Sequence, residues 1–180
     1  MPKIIRNMRE NILASARRHL LEGESTFSMR SIAAECGISV GSIYNCFRDR
    51  EAMIAAVMAE DWHKTAAEIR EAVKKAESFS GGVNDVVREI RQFTGRYDPV
   101  WQSYSGKGVY FSMHSDRHMR LVSFLSECLA ELFARFGTGR DVPYLRVFAE
   151  AVLSCGVHED ITEEELTAFA DCFAKETDKK

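Results

Sequence analysis

The chain has 180 residues, 46% hydrophobic and 28% charged, which is enough for one medium domain or two small ones around a buried core and excludes a disordered chain. Its net charge of -3 comes from 24 Lys and Arg against 27 Asp and Glu, and that balance alone argues for neither a nucleic-acid partner nor an anionic membrane surface. The charge is unevenly spread: residues 1–50 hold 8 basic and 5 acidic side chains, net +3, while residues 51–180 hold 16 and 22, net -6.

Periodicities of three and four run along the whole chain, prolines number only three, and alternating β-branched runs are few, so an all-α fold of about nine helices is expected. A first helix carries Ile5, Met8, Ile12, Ala16 and Leu20 on one stripe, with Arg9, Arg17 and Arg18 off it, Arg17 and Arg18 expected on a solvated face, and ends near Gly23. Ser28 suits the cap of a second helix, Met29 to Cys36, which Gly37 breaks. Ser39 then caps a short third helix to about Phe47, and Asp49 caps a fourth that runs without a breaker to about Glu77. The fourth helix shows Ile54, Met58, Trp62, Ala66, Ile69, Val73 and Ala76 as its stripe.

Ser78 to Gly82 read as a break, followed by a fifth helix from Val83 to about Tyr97, which Asp98-Pro99 ends. The stretch from Val100 to Met113 admits either a helix or an extended chain, since Gly106 and Gly108 interrupt it. A broad apolar stripe from about Asp116 to Phe136 predicts a helix buried on most sides. Asp141 and Pro143 open another, with Leu145, Phe148, Ala149 and Val152 inward and Gly156 as its end. Thr162 and Glu165 form a capping box before a last helix carrying Leu166, Phe169, Ala170 and Phe173.

Five widely spaced cysteines without a CxxC pair read as reduced thiols rather than disulfides or a zinc site, and the chain opens with no apolar run of signal-peptide length. The longest apolar stretch, Met53 to Ala59, falls far below the roughly 18 residues of a membrane span. The expectation is a cytoplasmic protein with no membrane attachment. Cys46 is expected to fill an inward apolar slot as an inert buried thiol.

Residues 29–47 place Ile32, Ala33, Cys36, Ile38, Ile43 and Cys46 where two short crossing helices touch. Ala33 is small where the second helix packs, Gly37 can take the positive φ of the turn, and Ile43 fills the gap, which is the helix-turn-helix pattern. Gly37-Ile38-Ser39-Val40-Gly41 also matches the GxSxG nucleophile elbow of hydrolases, but the elbow needs a strand before it and the preceding residues have a helical pattern. No enzyme is expected.

The longer string resembles the tetracycline-repressor (TetR) family over about residues 5–60. It comprises the amphipathic first helix, the Ser-capped Met-Arg-Ser-Ile-Ala, then Cys-Gly-Ile-Ser-Val-Gly-Ser-Ile-Tyr-Asn-Cys-Phe and Arg-Asp-Arg-Glu-Ala-Met. Ser28 and Ser42 stand where that family usually has Thr, Cys36 where it usually has Ala, and Arg50 where it usually has Lys. The resemblance implies a three-helix DNA-binding head over residues 1–48, joined by a long helix to a helical ligand-binding and dimerisation domain over 49–180. It also implies that the third helix enters the major groove, with Ser39, Val40, Ser42 and Asn45 toward base edges and Gly41 allowing close approach. Tyr44 resembles the family's phosphate contact, and Ser28, Arg30, Arg48 and Arg50 suit the DNA backbone.

The aromatic-rich segment 97–113 reads either as core filling or as the lining of an apolar pocket, and the resemblance favours the pocket. Its expected lining is Trp101, Tyr104, Phe111, Phe124 and Cys128, with His114 as polar contact. His114 and His118 lack a third ligand, so neither a metal nor a cofactor is expected. A homodimer is expected through the last two helices, with Leu145, Phe148, Val152, Leu166, Phe169 and Phe173 at its interface. The partners implied are an operator duplex and a small apolar or amphipathic effector that releases it. The competing reading is a helical small-molecule-binding or thiol redox-sensing protein that binds no DNA.

Overall fold

The computed structural model describes residues 7–22, 27–97, 115–136, 144–158 and 160–174, and among them the only extended secondary structures are helices. In chain order these are α1 (Met8–Glu22), α2 (Met29–Cys36), α3 (Val40–Cys46), α4 (Arg50–Lys75), α5 (Phe79–Arg96), α6 (Ser115–Phe136), α7 (Leu145–Val157) and α8 (Glu163–Asp171). None of the described helices is long and apolar enough to cross a membrane. By its contacts the chain divides into two units, Met1–His63 with Arg96–Ser103, and Lys64–Gly95 with Tyr104–Lys180.

In the first unit α1 packs on α2 and α2 on α3. Their shared core holds Ile12, Leu13, Ala16 and Leu20 of α1, Ile32 and Ala33 of α2, Ile43 of α3 and the flanking Phe27 and Phe47, none more than 5% exposed. At about 1.5–3 kcal/mol for each large apolar side chain buried, these contacts rather than intrinsic propensity hold helices of seven and eight residues, which are too short to persist alone. Polar contacts fix how α1 meets α2. The buried Ser15 hydroxyl donates to Glu35 at 2.7 Å, His19 Nε2 lies 2.9 Å from the same carboxylate, and Arg18 pairs with it as well.

The start of α4 follows the expected chemistry, with the Ala52 N–H donating to Asp49 Oδ1 at 2.7 Å. Of the expected stripe, Ile54, Ala66, Ile69, Val73 and Ala76 are buried, while Met58 and Trp62 are only half-buried. The buried face also takes in Met53, Val57, Asp61 and Thr65, and the pattern missed the last two because they are polar.

In the second unit α6 packs along α7. A cluster of five phenylalanines, Phe79, Phe133, Phe148, Phe169 and Phe173, joins α5, α6, α7, α8 and the residues just after α8, with ring centroids 4.9 to 6.1 Å apart. Such edge-to-face and offset pairs contribute about 0.5–1.5 kcal/mol each beyond area burial. Gly81 and Gly82 do not break the chain as expected, because α5 begins at Phe79 and both lie in its first turn. Ser78 makes this possible by capping, its Oγ accepting the Gly81 N–H at 3.1 Å. Gly82 is small for packing, since a Cβ there would lie 2.7 Å from Leu132 Cδ2.

Gly156 likewise does not end α7, which continues to Val157. Two helix ends in this unit are closed by arginines from elsewhere. The Arg135 guanidinium donates to the carbonyls of Val73 and Ala76 at 2.7 Å each, in and just after the last turn of α4, and Arg91 donates to the Cys155 and Ile161 carbonyls at 3.1 and 2.6 Å around the end of α7. Each satisfies carbonyls that a helix leaves without an internal donor and places positive charge where the helix dipole favours it. The capping box of Thr162 and Glu165 forms as expected. Gly23, the closure at Gly137 to Gly139 and the start at Asp141 and Pro143 lie outside the described residues.

Candidate functional site

The turn between α2 and α3 is built by three adjacent residues. Gly37 sits at φ 65° and ψ 31°, a left-handed conformation that costs an L side chain roughly 1–2 kcal/mol, and its N–H donates to Ala34 O at 3.1 Å while the Ile38 N–H donates to Ala33 O at 3.0 Å. Ser39 then starts α3, its Oγ accepting the Ser42 N–H at 3.1 Å and lying 2.9 Å from Ser42 Oγ. Ser39 therefore follows a helix and caps the next one, and no strand precedes it as a nucleophile elbow would require.

α3 has two clearly different faces. Ile43 is buried, whereas Gly41, Tyr44 and Asn45 are exposed, at spacings of three and four that put them on one side of the helix. Phe47, the extended residue that ends α3, is buried, and Arg48 just beyond it is exposed. Tyr44 is 53% exposed and the Arg48 side chain 89%. An aromatic hydroxyl and an amide thus point outward from a helix whose other side is fixed in the core, with a guanidinium just past its end.

Other residues expected at a DNA surface have additional local roles. Ser28 is exposed and caps α2 in a reciprocal pair with Ser31, each hydroxyl accepting the other's backbone N–H at 2.9 and 3.1 Å. Arg30 is exposed, while Val40 and Ser42 are half-buried. Arg50 is half-buried with its guanidinium 4.9 Å from the centre of the Phe27 ring, and Arg9, which the sequence reading left unassigned, lies 4.5 Å over Phe47. Arg48 pairs with Asp49 at 2.8 Å, and this hydrogen bond, followed by the one from the Ala52 N–H, holds the Asp49 carboxyl below its usual range.

Arg17 is not on a solvated face. Its guanidinium pairs with Glu60 at 2.8 Å and Asp61 at 2.9 Å on α4. Burial acts against its charge, but the hydrogen bond it donates to Glu60 and the fields of Asp61 and Glu60 raise its pKa above the ordinary value. Asp61 also accepts the Tyr97 hydroxyl at 2.5 Å, with Asp61 3% and Tyr97 0% exposed. Burial first, and then the carboxylate, push the Tyr97 phenol far above its usual pKa. Nothing in the residue pattern marks this triad beyond the position of Asp61 one helical turn from Val57 and Thr65.

Of the expected pocket lining, Trp101, Tyr104, Phe111 and His114 lie outside the described residues. Phe124 is half-buried beneath the Arg70 guanidinium at 4.7 Å, and Cys128, one turn further along α6, is buried. Burial pushes the Cys128 thiol up to about 11 and raises Cys155 as well, so neither is a ready thiolate. Cys46 is half-exposed rather than enclosed, because the inward positions of α3 are taken by Ile43 and Phe47. His118 pairs with Glu150 at 2.8 Å, and the described residues contain no group of three metal-ligating side chains.

The stripe expected to face a second copy is largely used within the chain. Phe148, Val152 and Leu166 are at most 2% exposed, because the chain's own α5, α6 and α8 cover that side. Leu145 and Phe173 are half-buried, and Phe169 is 37% exposed. Other outward apolar side chains of this region are Tyr144, Val147 and Val157.

Residues 12–57 match the family described as bacterial regulatory proteins, tetR family. The HTH-type transcriptional regulator UidR of Escherichia coli strain K12 is 25% identical over 164 residues, covering 88% of this chain and 83% of the relative. The fold is shared with a transcriptional regulator from Cytophaga hutchinsonii, at TM-score 0.66 and 14% identity over 93% of this chain and 94% of that one. It is shared also with the regulator FadR of Bacillus subtilis, solved with stearoyl-CoA, at TM-score 0.56 and 16% identity over 91% and 94%. Residues 12–57 are thus a helix-turn-helix domain of the tetR family, in a chain whose helical fold and length are similar to those of TetR-type transcriptional regulators.

Proposed function

We propose that the protein is a cytoplasmic repressor that binds a palindromic operator as a homodimer and releases it when a small apolar or amphipathic effector binds within residues 49–180. The observation that carries this reading is the outward face of α3, where Gly41, Tyr44 and Asn45 project from a helix anchored by Ile43, with the exposed Arg48 just beyond its end. Gly41 lets the helix backbone approach a groove, Asn45 offers the donor and acceptor pair that reads adenine, and Tyr44 and Arg48 suit phosphate oxygens. Ser28, Arg30 and Arg50 extend the backbone contacts, while Ser39 and Ser42 act first as the helix cap.

Two heads reading successive major grooves about 34–36 Å apart require a dimer. The apolar side chains available for it are Tyr144 and Val147 of the α7 region and Phe169 of α8, flanked by Leu145 and Phe173. On α6, Phe124 and the buried Cys128 suit an apolar effector body, and Arg70 above Phe124 suits a polar or anionic end.

Fluorescence anisotropy with the duplex upstream of the protein's own coding sequence tests the reading. Binding should be at least about a thousandfold tighter than to a scrambled duplex, with a steep loss as salt rises. Equal affinity for both duplexes would remove the operator from the proposal.

A further inference from the structure

We propose that Tyr97, Asp61 and Arg17 form a latch that seats α1 against α4 and sets how tightly the helix-turn-helix head holds DNA. The proposal rests on the DNA-binding reading above. Tyr97 directly follows Arg96, the last residue of α5, and its hydroxyl donates to Asp61 Oδ2 at 2.5 Å. The other oxygen of Asp61 meets Arg17 Nε at 2.9 Å, and Arg17 NH2 reaches Glu60 at 2.8 Å, so a single guanidinium ties α1 to two adjacent residues of α4. On the same helix Ser15, Arg18 and His19 all hold Glu35 of α2, two residues before the turn at Gly37. Polar contacts therefore run from Tyr97 through α4 and α1 to the helix that α3 packs against.

The chemistry of the chain favours a switch over a simple brace. Asp61 shares its buried face with Met53, Val57 and Ile69, and an apolar side chain there would stabilise the fold at least as well, because a buried ion pair gives up hydration that its partners only repay when geometry is complete. Removing one member strips the buried Asp61 carboxylate of part of what offsets its lost hydration, so the remaining contacts must readjust. The tyrosine end of the latch lies immediately before residues 98–114 in the sequence, which hold most of the proposed effector lining. Displacing Tyr97 removes the phenol's hydrogen bond from Asp61 and lets the Asp61–Arg17 contact, and α1 with it, shift, and the head must then recover its seating when it binds DNA.

The test uses the full chain and a duplex enriched by the wild-type protein from a random pool, with dissociation constants measured well below the unfolding temperature. Tyr97→Phe and Asp61→Asn should each weaken DNA binding by at least about fivefold. The double variant Tyr97→Phe with Arg17→Met should lose no more than the worse single one, since both cut the same chain of bonds. Arg135→Met, which removes a helix cap in the other unit, supplies the control: it should lower the unfolding temperature and leave DNA affinity as in the wild type. The latch is overturned if Tyr97→Phe and Asp61→Asn lower the unfolding temperature while binding DNA as tightly as the wild type, or if the double variant's losses simply add. Should Tyr97→Phe fail to fold, the cycle between Asp61→Asn and Arg17→Met decides by the same criterion. A wild-type protein that enriches no duplex overturns the DNA-binding reading itself, and the latch with it, which is a distinct result.

Discussion

Gly156 faces Ile90 so closely that a Cβ on the glycine would lie 2.4 Å from Ile90 Cγ2 and 2.7 Å from Ile90 Cβ. The branched side chain of Ile90 is itself buried and has nowhere to move. Gly156→Ala should therefore destabilise the protein by about 1–3 kcal/mol through overpacking. Combining it with Ile90→Ala should recover part of the loss, because the alanine methyl enters the space the isoleucine vacates. Thermal unfolding of the two single variants and the double one checks this, and strictly additive losses would mean that the two residues do not compete for space.

The outward face of α3 separates two kinds of DNA contact. Asn45→Ala should change which sequences are preferred, with about 1–3 kcal/mol lost at the base pair it reads. Tyr44→Phe and Arg48→Ala should weaken all sequences alike, and Arg48→Ala should also reduce the salt slope by about one ion. Selection from a random duplex pool for each variant distinguishes the two patterns, and an unchanged preference with Asn45→Ala would mean that α3 enters the groove in another orientation.

Alkaline pH should report on Tyr97. Its buried phenol is held neutral, so its pKa in the folded chain lies above the ordinary 10.0 that it takes when unfolded. Below pH 10 the stabilisation is fully present, and as pH rises past that value the unfolded chain loses the proton first. Stability should then fall by up to about 1.4 kcal/mol per pH unit from this group, until the folded phenol ionises as well. Denaturant midpoints between pH 8 and 11 should decline more steeply for the wild type than for Tyr97→Phe, and parallel declines would show that the phenol does not carry the effect.

Thiol chemistry should follow exposure. Cys172 is exposed, whereas Cys128 is buried with its thiol pushed up to about 11, leaving on the order of one thiolate in a thousand at pH 8. Alkylation of the native protein should label Cys172 early and Cys128 only on unfolding. Mass spectrometry of timed samples would settle the order, and rapid labelling of Cys128 would reopen a thiol-sensing role for α6.

Features written in neighbouring residues were legible in the sequence. Ser28, Ser39, Asp49 and Thr162 start their helices as expected, because a cap involves residues two or three apart, and the turn at Gly37 follows from a φ that glycine tolerates. The two-faced α3 was legible for the same reason, since its period is local. Glycines were misread where their role is contact rather than punctuation: Gly82 and Gly156 admit Leu132 and Ile90, which lie 50 and 66 residues away in the chain. Asp61 and Thr65 were missed because a polar residue on a buried face is explained only by partners brought in by folding, and Tyr97 is 36 residues away. Periodicity marks the apolar side of α7 and α8 without saying what covers it, and within the chain Phe148, Val152 and Leu166 are already buried.

Arg135 makes the stability of one helix end conditional on another helix. The carbonyls of Val73, Lys74 and Ala76 find their donors on a side chain of α6, so the last turn of α4 cannot fray alone without stranding that guanidinium. Amide protons in this turn should therefore exchange with solvent in concert with those of α6, at the free energy of a shared sub-global opening rather than at the low cost typical of a helix terminus.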